Sequence, residues 1–117
     1  MVWNNSLDKV LSDVRSEAAT DLVGLWFVQA LVHQAFPTWS PQVVREATLA
    51  VVGRALEDGQ IVVGEFAPGV FSIWSAQGAL ALARIRRAWV DVDRDLNLND
   101  NIWLSGRDLG YRVEVTG

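Results

Sequence analysis

The chain has 117 residues, half of them hydrophobic and 21% charged, with a formal net charge of −4 and no cysteine. This length fits one domain, and the apolar share is enough to bury a core without a metal or disulfide staple. The absence of cysteine excludes disulfide frameworks, zinc ribbons and thiolate catalysis, and the acidic balance (pI about 4.8) repels phosphate backbones at long range while attracting basic partners.

Met1-Val2-Trp3-Asn4-Asn5 has neither a basic region nor an apolar run leading to a cleavage site, so no secretory signal is expected there and a cytoplasmic setting is. A first helix is predicted over 6–17. Ser6 is its candidate cap, Asp8 sits in its first turn, and Leu7, Val10, Leu11 and Val14 recur at helical spacing. A second helix is predicted over 21–36 behind Thr20 or Asp21 as cap. Leu22, Val23, Leu25, Trp26, Phe27, Val28, Leu31 and Val32 leave it almost no polar face, which places it at the centre of the core, and Pro37 ends it. Gln29, His33 and Gln34 interrupt the run, which is shorter than the roughly 20 residues a bilayer requires, so no membrane span is expected.

The third helix has the clearest start: Ser40 as cap and Pro41 at the first helical position, where its missing donor costs nothing. Val44, Ala47, Thr48, Val51 and Ala55 form its apolar stripe, Arg45, Glu46, Arg54 and Glu57 lie mostly outside it, and Gly59 supplies a left-handed stop. Residues 60–66 then switch to strand formers, Ala67-Pro68-Gly69-Val70 suits a type II turn, and 70–74 returns as the second strand of a hairpin. A fourth helix is predicted over 76–89, capped by Ser75, with Leu82, Ile85 and Trp89 inward. A polar loop over 91–101, a short strand over 101–104, a turn over 105–110 and an alternating strand over 111–115 complete an α+β chain.

The run "RALEDGQIVVGEF" resembles the helix-to-wing junction of winged-helix domains, and "NIWLSGRDLGYRVEV" resembles the strand that closes their small sheet. The stretch from "DLVGLW" to "IWLSGRDLG" is similar to small bacterial proteins of unknown function with a Trp in the first core helix, a Ser-Pro helix start and a helix inserted in the wing. The resemblance covers roughly residues 20–110 and implies a single winged-helix-like α+β domain with three N-terminal helices and a small antiparallel sheet. It also implies an immunity or antitoxin type of role. Two departures stand out: 37–40 is too short for a separate middle helix, and 75–101 is a large insertion in the wing.

The segment Asp91-Val-Asp93-Arg-Asp95-Leu-Asn97-Leu-Asn99-Asp100 carries acidic residues at alternating positions, as a calcium loop does. The loop's sixth position needs glycine and here is Leu96; its twelfth needs glutamate and here is Ile102, so no metal is assigned. The segment reads as a solvated loop, or as a docking surface for a basic partner led by Asp91, Asp93, Asp95 and Asp100. Arg84, Arg86 and Arg87 are expected to pair with it.

His33 is the only histidine and has no carboxylate at helical spacing, which favours a structural or half-exposed role over a general base. Of six tryptophans, Trp26, Trp74 and Trp103 fall on core patterns, whereas Trp3 and Trp39 lie in end or loop segments where an exposed ring would anchor a partner. No nucleophile elbow, phosphate loop or cofactor motif is present, so no enzyme activity and no cofactor are expected. The expected function is a small acidic protein-interaction module that blocks a basic partner protein, with Trp39 and the four aspartates as contacts and a homodimer as a further possibility. The alternative is a winged-helix DNA-binding regulator that reads a groove through Arg45 and Arg54, although Glu46 and Glu57 on that helix make nucleic acid the poorer partner. An enzyme of unknown class is the third reading, and a pocket joining His33 to a carboxylate would favour it.

Overall fold

The computed structural model describes residues 2–92, 94, 100–107 and 113–116. Its order is α1 (Asn5–Ala18), β1 (Val23–Gly24), α2 (Leu25–Ala35), α3 (Pro41–Leu56), β2 (Ile61–Ala67), β3 (Val70–Trp74), α4 (Ala79–Val92), β4 (Trp103–Gly106) and β5 (Val113–Thr116). The strands form one sheet in the order β1-β4-β2-β3-β5, antiparallel except for the parallel β3–β5 pair. The chain is therefore α+β, as its periodicities predict.

Helix α1 starts one residue ahead of the expected cap. The Asn4 side chain accepts from the Leu7 N–H at 3.0 Å, and Ser6 lies inside the first turn. The predicted start of the second helix is also displaced, from 21 to Leu25. Val23 and Gly24 pair instead with Leu104 and Trp103 of β4, and the Leu25 N–H donates to the Ile102 carbonyl at 2.9 Å. Cross-strand bonding over a buried pair outweighs the helical pattern there, so neither Thr20 nor Asp21 caps α2. Helix α3 follows its sequence signals: Ser40 accepts from the Val43 N–H at 3.2 Å, Pro41 sits in the first turn, and Gly59 takes φ +75° just beyond the end. The β2–β3 hairpin turns at Pro68-Gly69, with Gly69 at φ +79°.

Ser75 does not cap α4. The chain first passes through Gln77 and through Gly78 at φ +58°, then runs helical from Ala79 to Val92, so the polar segment begins inside the helix. Gln77 serves the sheet. Its side chain accepts from the Val63 N–H and donates to the Val63 carbonyl, both at 3.0 Å, and also donates to the Trp74 carbonyl at 2.7 Å. It extends the ladder of β2 past Gly64–Ile73, where β3 pairing stops.

One continuous apolar cluster joins the three N-terminal helices to the sheet and to the inner face of α4. It includes Leu7, Val14, Leu25, Val28, Val32, Leu49, Val52, Val63, Trp74, Ile85, Trp89 and Leu104. Each such fully buried aliphatic or aromatic side chain contributes about 1.5–3 kcal/mol relative to exposure. Among the described residues, no helix is long and apolar enough to cross a membrane.

Candidate partner-binding site

On helix α2, Trp26, Ala30 and His33 are exposed at i, i+4 and i+7, and the buried Gln29 borders them at i+3. With Trp39, Pro41 and Val44 from the turn into α3, these residues line a recess of about 390 Å³. Trp39 is held by the turn that follows α2. Its N–H donates to the Phe36 carbonyl at 3.1 Å, and its ring stacks on Phe36 at 3.7 Å with the planes 3° apart. Trp26 is 37% exposed and meets Phe27 edge-on at 6.1 Å. Its indole lies against Gly24, where any Cβ would collide with Nε1 and come within 2.7 Å of Cδ1.

Trp26 was expected in the core and lies instead on the outer face of α2. An 11-residue helix against one layer buries only Leu25, Val28, Gln29 and Val32. The polar, exposed His33, two turns from Trp26, carries the sequence signal for that outward face, whereas the polar Gln29 is buried. His33 is exposed, and the lining of its recess contains no carboxylate.

The other four indoles are engaged within the molecule. Trp3 donates to Asp8 at 2.6 Å, Trp74 to Glu65 at 3.3 Å, Trp89 to the Arg94 carbonyl at 2.9 Å and Trp103 to Asn101 at 2.8 Å. Among the described residues, Trp26 and Trp39 have no such hydrogen-bond partner. Their indole N–H groups remain available to a carbonyl or other acceptor on a bound chain.

Of the expected acidic contacts, Asp93 and Asp95 lie outside the described residues, and Asp91 falls in the last turn of α4. Asp100 is half of a two-pronged pair with Arg94, at 3.0 and 2.8 Å. That hydrogen bond, with the attraction of the carboxylate charge, holds the Arg94 guanidinium above its ordinary value against a smaller opposing desolvation.

Most of the segment that the arginines of α4 were expected to meet lies outside the described residues, and the described partners of Arg84 and Arg86 lie on other elements. Arg84 pairs with Glu65 at 3.4 Å and lies 3.9 Å from the Trp74 ring centre, while Arg86 pairs with Glu46 at 3.1 Å. These contacts tie α4 to β2 through Arg84 and to α3 through Arg86. The two arginines proposed to read nucleic acid are also engaged. Arg54 lies 3.8 Å over the Trp3 ring, and Arg45 sits 5.4 Å from the Trp89 ring centre. Arg15 donates to the Arg54 carbonyl at 3.0 Å and Arg107 to the Gly59 carbonyl at 2.7 Å. Among the described residues, no three His, Asp or Glu side chains gather as a metal-binding group.

No family model, curated protein or solved structure matches this chain.

Proposed function

We propose that the chain is an acidic, non-catalytic protein-interaction module on a winged-helix-like frame, of the immunity or antitoxin kind, that covers a basic partner protein in the cytoplasm. The observation that carries this is the recess walled by Trp26 and Trp39. Its two indole donors have no hydrogen-bond partner among the described residues, and partly exposed tryptophans around a concavity have the composition of an interface hot spot. The acidic run from Asp91 through Asp93 and Asp95 to Asp100, on a chain of net charge −4, would steer a basic partner toward it.

The winged-helix frame is supported by element order. Helix, short strand, helix, helix, strand and closing strand follow one another, and β1 pairs with β4 beside β2, so that β3 and α4 form an insertion in the wing. In such a frame α3 would be the helix that reads a DNA groove. Here α4 packs along it: Leu82 sits 3.1 Å from where a Cβ on Gly53 would stand, and Arg86 is paired to Glu46. Groove reading requires an uncovered helix and a surplus of uncommitted cations, so the protein-binding role is favoured.

Selection of a displayed random-peptide library on the immobilised chain tests the proposal. The wild type is expected to enrich peptides of net positive charge, and Trp26→Ala/Trp39→Ala, with an unchanged circular dichroism spectrum, is expected to lose them. Equal enrichment by both proteins would remove the recess from the function.

A further inference from the structure

A recess of about 290 Å³ lies where the last turn of α1, the α3–β2 turn and the end of β4 meet, and it shares no residue with the tryptophan recess. Arg15, Asp58, Gln60 and Arg107 stand around it, beside Ile61 and Gly106. Close packing joins the three elements. The Arg107 N–H donates to the Gln60 carbonyl at 2.8 Å, which carries the β2–β4 ladder one step past the Ile61–Gly106 pair. A Cβ on Gly106 would stand 2.8 Å from the Ala18 carbonyl oxygen, so a glycine is what lets α1 end directly against β4.

Both guanidinium groups are held by neutral carbonyls. Arg15 donates through Nη2 to the Arg54 carbonyl at 3.0 Å, and Arg107 donates through Nε to the Gly59 carbonyl at 2.7 Å. Such a bond orients the fork without neutralising it and leaves most of its N–H donors unused. Among the described residues neither arginine meets a carboxylate, unlike Arg84, Arg86 and Arg94, which pair with Glu65, Glu46 and Asp100. The Gln60 side-chain amide also has no partner among the described residues. Asp58 is turned to the backbone, where it accepts the Gln60 N–H at 3.0 Å. We propose that this recess binds a small oxyanion, a carboxylate or phosphate group, between the Arg15 and Arg107 guanidinium groups. The planar fork of each arginine matches a pair of such oxygens, and Gln60 adds a neutral donor. Two positive charges face one negative in the lining, so a compact anion is attracted. Asp58 opposes an extended polyanion, which keeps the site distinct from a nucleic-acid surface.

Arginine side-chain NMR of the whole labelled chain, titrated with sodium phosphate or sodium acetate against sodium chloride of equal ionic strength, tests the proposal. The Arg15 and Arg107 Nε–H signals are expected to shift together and to saturate at millimolar anion. Arg87, exposed on α4 and outside the recess, should not move. Arg15→Gln and Arg107→Gln should each weaken binding by at least about tenfold. Asp58→Asn should strengthen it by about threefold, because it removes the opposing charge and keeps an oxygen for the Gln60 N–H. Arginines that serve only to cap the carbonyls at the end of α3 would not give that gain. Saturation by phosphate alone assigns a tetrahedral ligand group, and saturation by acetate a planar one. No saturable shift with either anion overturns the proposal, and so does a shift that Arg87 shares or that Asp58→Asn leaves unchanged. Asp58 is exposed, so its variant decides the matter even if an arginine variant does not fold.

Discussion

At the residue scale, the six tryptophans divide by what their indole meets. Trp89 is buried with an arginine over its ring and a carbonyl on its N–H, so its environment is complete within the chain. Replacing it by alanine removes a large core side chain and strands its partners, and is expected to cost about 3–5 kcal/mol in urea unfolding. Trp39→Ala removes a half-buried ring that stacks on Phe36 at the edge of the core, and should cost distinctly less in the same assay. A Trp39 variant as unstable as the Trp89 one would make Trp39 a core residue and deprive the recess of its anchor. Gly64 gives a second residue-level expectation. A Cβ there would collide with the Ser72 carbonyl oxygen and come within 2.7 Å of the Phe71 ring. Gly64→Ala should therefore destabilise by about 1–3 kcal/mol through overpacking, which equilibrium unfolding will show directly.

At the element scale, local chemistry was readable wherever a segment is specified by its own residues. Ser40-Pro41 fixed the start of α3, Pro68-Gly69 fixed the hairpin, and Gly59 fixed the exit into the sheet. What the sequence did not disclose depends on distant partners. β1 is two residues long and exists because β4 pairs with it, so the apolar run around it reads as more helix. Gln77 looks like a linker residue until the Val63 backbone is found bonded to its amide on both sides. Gln77→Ala would leave that buried strand position unpaired, at an expected cost of about 1–3 kcal/mol. Amide exchange at Val63 should accelerate more than at Leu104, and equal acceleration would mean that the side chain does not complete the ladder. The candidate site was half legible. Trp39 stood out as a loop aromatic, whereas Trp26 was hidden in a helix that looked apolar all round, and only its two-turn spacing from His33 marked the outer face.

At the scale of the whole molecule, the inserted α4 alters what the N-terminal helices can do. It lays Ala81, Ile85 and Trp89 into the common core and places Arg86 against Glu46 on α3. That arrangement could not be read from periodicity, which gives the inward stripe of α4 but not the element it packs on. The consequence is a frame in which α3 is half covered and its arginines are held by tryptophans, while the corner between α2 and α3 carries the partly exposed rings. The most direct measurement is an amide and indole NMR titration of the labelled chain with a short DNA duplex at low salt. The α3 amides from Gln42 to Leu56 and the Trp3 indole are expected to stay in place, because Arg54 and Arg45 keep their intramolecular contacts. Shifts concentrated on α3, with an affinity that falls steeply as salt is added, would contradict it and make the chain a reader of nucleic acid.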